Sequence, residues 1–118
     1  ILGYAFAGVE PGVMGLGPIP AVQRVLAQSG LSVADLDVIE SNEAFAAQAM
    51  AVSQSLGFDN SKVNPNGGAI ALGHPVGATG SMLIVKLLAE LERCNGRYGL
   101  VTMCIGGGQG IALLVEAL

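Results

Sequence analysis

Charge is what this sequence has least of: only 12% of its 118 residues are charged, against a usual share of about 25%. A domain of this length hides only about two-thirds of its unfolded surface, and charge normally covers the rest. Either the chain crosses a membrane or other protein covers much of its outer face. The uncharged runs decide between the two. Val63 to Val85 and Tyr98 to Val115 are long enough to span, but Asn64-Pro65-Asn66-Gly67-Gly68, Gly73-His74-Pro75 and Gly106-Gly107-Gly108 interrupt them. The expectation is a soluble domain with large protein contacts and no membrane span.

Basic residues are scarce and scattered. Arg24, Lys62, Lys86, Arg93 and Arg97 form no run, and a net charge of −4 with a pI of about 4.6 argues against nucleic acid as a partner. Cys94 and Cys104 are the only cysteines, too few for a disulfide framework, so a reducing compartment and a cytoplasmic location are expected. One histidine, two distant cysteines and no paired-carboxylate motif argue against a metal site. The glycines from Gly106 to Gly110 lead into a strand and lack a following Lys-Ser/Thr pair, so they are neither a phosphate loop nor a dinucleotide fingerprint. The chain opens at Ile1 in strand-like sequence, without a basic, apolar and cleavage-site succession, and so reads as a piece of something longer.

Apolar residues, by contrast, are plentiful. With 52% hydrophobic residues and a mean hydropathy of +0.62, disorder is excluded and one core in one domain is expected. Ile1 to Ala7 reads as a buried strand, followed by a loop rich in glycine and proline. Pro18 and Pro20 suit the first turn of a helix in which Ile19, Val22 and Leu26 keep the helical period, and Gly30 suits its stop. Leu36 to Ser41 is a short strand. Asn42 and Glu43 then open a second helix with Phe45, Ala49, Val52 and Leu56 on one face, ending at Gly57. Val63 begins a third extended segment. A helix after Gly77 to Gly80 carries Leu83, Leu87 and Leu91 in register and stops at Asn95-Gly96. Tyr98 to Cys104 and Ile111 to Val115 are apolar strands close enough to pair antiparallel.

The order β-α-β-α-β-α-β-β implies an α/β fold whose five-stranded, mixed but mainly parallel sheet is covered by helices. In open α/β sheets, ligands sit outside the carboxyl ends of the parallel strands. Asn42 ends the second strand, His74 lies in the loop after the third, and Cys104 ends the fourth, so all three reach one edge.

Each has a chemical and a structural reading. His74, between Gly73 and Pro75, is held on a stiff loop, where a neutral imidazole can take a proton from a thiol; it could equally be a loop histidine bonded to backbone. Cys104 precedes Ile105-Gly106-Gly107-Gly108, whose N–H groups could meet an oxyanion, yet a free cysteine is more often a small buried hydrophobe. Asn42 is an N-cap, or an amide that holds a water over a reacting carbonyl. Glu43 reads as a first-turn charge, Met14 and Phe45 as packing residues with a weaker claim to an acyl pocket, and Cys94 as structural.

Asn42-Glu43-Ala44-Phe45-Ala46, the run from Asn64 to Gly80 through Gly73-His74-Pro75, and Cys104-Ile105-Gly106-Gly107-Gly108-Gln109-Gly110 together resemble the C-terminal half of thiolases, the acetyl-CoA acetyltransferase family. They occur in the family's order and cover the chain from end to end. The resemblance implies one domain over residues 1–118, stacked against an N-terminal half that holds the nucleophilic cysteine and most of the CoA-binding loop region. It implies dimers or tetramers, an acyl-CoA substrate and no cofactor beyond that coenzyme A thioester. It implies that His74 activates the nucleophile and, with a water held by Asn42, binds the thioester oxygen. Cys104 would move the proton on the attacking carbon, Gly106 N–H would form part of a second oxyanion hole, and Met14 and Phe45 would line the acyl and pantetheine cavity. The isolated chain would then be inactive. Two alternatives stand beside it. One is another condensing-enzyme relative, such as a ketoacyl-carrier-protein synthase or the sterol-carrier thiolase branch. The other is a non-catalytic dimerisation or scaffold module.

Overall fold

A computed structural model describes residues 1–118. Strand β1 (Gly3–Gly8) leads through a 3-10 turn (Pro11–Leu16) into helix α1 (Pro18–Ser29), and strand β2 (Val38–Ser41) follows a second 3-10 turn (Val33–Asp35). Helices α2 (Ala46–Leu56), α3 (Ala69–Leu72) and α4 (Thr79–Cys94) precede the hairpin of β3 (Tyr98–Ile105) and β4 (Gln109–Glu116). The expected helix stops hold: Gly30, Gly57 and Asn95 all take the left-handed conformation that ends a helix.

The sheet has four strands in the order β1-β4-β3-β2, not five, and is mostly antiparallel rather than mainly parallel. β4 lies between β1 and β3 and runs against both; only β2 and β3 are parallel. The expected third strand reduces to one parallel bridge, Val63 to Ile39. The physical reason lies in Asn64. Its backbone turns left-handed at φ 47°, so the main chain leaves the sheet, and its side chain takes over the pairing. Ser41 N–H donates to Asn64 Oδ1, and Asn64 Nδ2 donates to Ser41 C=O, both at 2.9 Å. An amide thus continues the ladder where the backbone cannot.

Alternation sends successive strand residues to opposite faces. On one face Ile39, Leu100, Ala112, Leu114, Ala5 and Ala7 pack under α1, through Ala21, Val22, Val25 and Leu26, together with Val52 of α2. On the other face Val38, Val101 and Val115 meet Leu83, Leu87 and Leu91 of α4. That second cover is partial. Tyr4 and Phe6, edge to face at 6.0 Å between ring centres, stay 63% and 53% exposed on this face of β1, and α4 turns Val85 and Leu88 to the outside. The charge deficit therefore corresponds to open apolar surface on the α4 side. No helix is long and apolar enough to cross a membrane.

Candidate active site

β2 and β3 run parallel, so their carboxyl ends share one edge. Asn42 continues β2 by one bond, its N–H donating to Thr102 C=O at 2.9 Å, two residues before Cys104 on β3. Asn42 is therefore not the N-cap of α2, which begins only at Ala46 with Phe45 at the cap. The strand ladder holds residue 42 instead, which fixes its backbone beside the end of β3. Its amide is almost wholly buried and its Nδ2 lies 3.5 Å from His74 Nε2, across 32 residues of chain.

The other His74 nitrogen is held more tightly. His74 Nδ1 lies 2.7 Å from Thr79 Oγ1, and the Thr79 hydroxyl donates to Pro75 C=O at 3.1 Å. When Thr79 gives its proton to Pro75 it accepts from Nδ1–H and Nε2 keeps its lone pair; when it gives that proton to Nδ1 instead, Nε2 carries the ring hydrogen. Thr79 is 3% exposed and sits at the start of α4, so the helix and the Gly73-His74-Pro75 turn locate the ring between them.

The loop that presents His74 is tied down along its length. Asn66 Nδ2 donates to Glu90 Oε2 at 2.7 Å, and Lys86 Nζ donates to Gly67 C=O at 2.6 Å. Glu43 accepts from Ile70 N–H at 3.0 Å and from Asn64 Nδ2 at 3.4 Å. Glu43 is thus no first-turn charge of α2; it satisfies one free N–H group of α3, that of Ile70. A Cβ at Gly68 would collide with its carboxylate, so glycine there admits the contact. Arg93, then Asn66, holds the Glu90 carboxyl down to about 2.

Cys104 is buried and pairs with Gly110 across the hairpin. Burial pushes its thiol above the ordinary value, with no neighbouring cation to oppose the shift. Gly106 lies in the exposed turn that follows, with open space on its Cα. Met14, half-buried, and Phe45, 62% exposed, belong to the 3-10 turn and the α2 cap, which pack together where Gly15 meets the Gln48 side chain. Phe45 is accordingly not a packing residue within this chain. Cys94 is exposed at the end of α4. The structure brings together Asn42 and His74 and sets Cys104 on the adjoining strand end, while Met14, Phe45 and Gly106 lie on other segments, the 3-10 turn, the α2 cap and the β3–β4 turn. Sequence reasoning missed Thr79, Asn64 and the ion pair of Lys86 on α4 with buried Glu40 on β2, whose one visible signal was polar residues inside otherwise apolar runs.

The fold is an α/β domain with a mixed four-stranded sheet whose parallel strand ends gather Asn42, His74 and Cys104, and comparison with known proteins identifies it. The family model described as "Thiolase, C-terminal domain" matches residues 1–117. A beta-ketothiolase of Cupriavidus necator is 61% identical over 118 residues, covering all of this chain and 30% of the relative. An acetyl-CoA acetyltransferase of Escherichia coli is 57% identical with the same coverage. The crystal structure of human mitochondrial 3-ketoacyl-CoA thiolase superposes with a TM-score of 0.98 at 51% identity, over all of this chain and 30% of that one. The chain belongs to the thiolase family, as its C-terminal domain. It spans about 30% of the length of the relatives it matches.

Proposed function

We propose that this chain supplies the acid-base half of a thiolase centre, acting in acyl transfer to coenzyme A and in the Claisen condensation of two acetyl-CoA to acetoacetyl-CoA. The observation that carries the reading is the convergence of Asn42 and Thr79 on the two ring nitrogens of His74, an arrangement that accommodates a proton on Nδ1 and a bare Nε2. A bare Nε2 at the strand edge is what a thiol nucleophile needs in order to lose its proton. In this reading the nucleophile is a cysteine of an N-terminal half. His74 takes its proton and keeps it on Nε2, the thiolate attacks the acyl-CoA carbonyl, and the CoA sulfur leaves as a thiolate that takes its proton from water.

Condensation then requires a second base. Cys104 takes a proton from the α-carbon of the incoming acetyl-CoA while Asn42, through a water, and His74 hold the enolate oxygen. The carbon attacks the acyl-enzyme, the new carbon-carbon bond forms, and the enzyme's cysteine departs as the thioester breaks. Gly106 N–H meets the acyl-enzyme oxygen, and Met14 and Phe45 border the acyl and pantetheine path. Burial raises the thiol pKa and so favours the protonated form, which donates to the departing enolate in the thiolytic direction, while condensation draws on the thiolate fraction and gains rate as pH rises. No cofactor beyond the coenzyme A thioester enters. The working enzyme is a homo-oligomer containing the N-terminal domain, with a cytoplasmic location.

The test is reconstitution. The chain alone is expected to cleave no acetoacetyl-CoA, and the chain joined to the N-terminal 70% of a thiolase relative is expected to cleave it. Activity of the isolated chain that disappears on changing Cys94 or Cys104 would place the nucleophile here. An inactive, folded, joined enzyme would favour the scaffold reading.

A further inference from the structure

Of the two cations on α4, Arg93 lies outside and Lys86 turns inward, its side chain only 20% exposed. Two Lys86 protons are assigned: one to Glu40 Oε2 at 2.7 Å, one to Gly67 C=O at 2.6 Å. An ammonium has a third. Beside it is a cavity of about 20 Å³, room for one water, with apolar walls from α3 and α4 and with Lys86, Asn42 and Thr79 as its polar side chains. Asn42 is 1% exposed, and its Oδ1 has no hydrogen-bond partner in the protein. A buried carbonyl oxygen left in that state is costly, and the cavity beside it holds a donor.

We infer that Lys86 is a positioning residue: through a single water in this cavity it holds Asn42 Oδ1 on its own side, which leaves Asn42 Nδ2–H facing His74 and keeps His74 Nε2 free of its proton. The inference rests on the function proposed above. Two arrangements satisfy the hydrogen-bond geometry. In one, Nδ1–H donates to Thr79 and a bare Nε2 faces Asn42 Nδ2. In the other, the amide is turned over, Oδ1 accepts from Nε2–H, and Thr79 donates to a bare Nδ1. Only the first gives a base at the strand edge. The two differ in which end of the amide faces Lys86, and a cation favours the oxygen. Lys86 is the charged residue that lines the cavity with Asn42, and Glu40 does not line it.

The experiment uses a full-length thiolase carrying this chain, with the chain alone labelled with nitrogen-15; His74 is its only histidine and gives one pair of ring resonances. The unaltered enzyme should show a protonated Nδ1 and a bare Nε2. Lys86→Met should shift the ring toward the other tautomer and lower kcat about tenfold, with KM for the acyl-CoA changed less than about twofold. Asn42→Ala combined with Lys86→Met should be no slower than Asn42→Ala alone. If Lys86→Met folds poorly because Glu40 is left unpaired, the pair Glu40→Gln with Lys86→Met removes both charges and should give the same tautomer shift. An unchanged ring spectrum in the folded variants, or losses that add in the double variant, would overturn the inference. Absence of thiolysis in the unaltered enzyme would instead overturn the proposed function, and the ring spectrum would still report on Lys86.

Discussion

The two segments that present the candidate acid-base residues are built on opposite principles. The loop carrying His74 lies outside the sheet and is pinned by side chains: Asn64 on Ser41, Asn66 on Glu90, Lys86 on Gly67 C=O, Thr79 on the ring itself. Cys104 has no such anchors, and the register of β3 and β4 and the close approach of glycine backbones place it. The imidazole is held by polar partners one at a time. The buried thiol is held by the ladder. The first design is open to graded weakening; the second fails all at once.

Gly110→Ala should expose the second design most severely. Gly110 pairs with Cys104, and a Cβ there would collide with the Gly17 carbonyl, which is backbone and cannot turn aside. The expected loss is about 3 kcal/mol or more, read as loss of folded, soluble protein. Asn64→Ala attacks the first design at its root. It removes both bonds that continue β2 and leaves alanine at a left-handed φ, for an expected cost of about 2 kcal/mol by denaturant unfolding. Asn64→Gly relieves the φ and should cost less. If both substitutions cost the same, the strain does not matter and the amide pairing carries the effect alone.

Thr79→Val keeps shape but withdraws the His74 Nδ1 partner. It should lower kcat of the full-length enzyme about tenfold with its thermal midpoint nearly unchanged, and Thr79→Ser should restore the rate. The smallest effect concerns acid. Glu90 titrates near 2 in the folded chain, below its ordinary 4.5, so its contribution is present above about 4.5 and is lost as pH falls toward about 2. Unfolding between those values should be less pH-dependent in Glu90→Gln than in the parent. A parallel pair of curves would show that Asn66 and Arg93 do not hold that carboxylate.

What could be read without the structure follows the same division. The hairpin, α1 and α4 were legible because their apolar residues keep a period and Gly30 and Asn95 stop them. The sheet was misread because strand order is not written in local pattern: β4 inserts between β1 and β3 and turns an expected parallel sheet mostly antiparallel. Val63 has the composition of a strand, yet one left-handed asparagine ends its pairing. His74, Asn42 and Cys104 could be placed on one edge because each follows an apolar strand or a rigid turn. Thr79, five residues from His74, and Lys86, 46 residues from Glu40, act through single contacts that no periodicity announces.

The division of labour between the two segments is tested most directly by comparing His74→Ala and Cys104→Ser in the full-length enzyme, with radiolabelled acetyl trapping set beside deuterium exchange at the acetyl α-carbon. His74 is proposed to act before the acyl-enzyme exists and Cys104 only after it. His74→Ala should therefore slow trapping and exchange together, by about 10²- to 10⁴-fold. Cys104→Ser should trap acetyl nearly as the parent does while losing exchange and carbon-carbon bond formation. If Cys104→Ser instead abolishes trapping as fully as His74→Ala, the two residues do not divide the reaction between them, and Cys104 is needed before the acyl-enzyme forms.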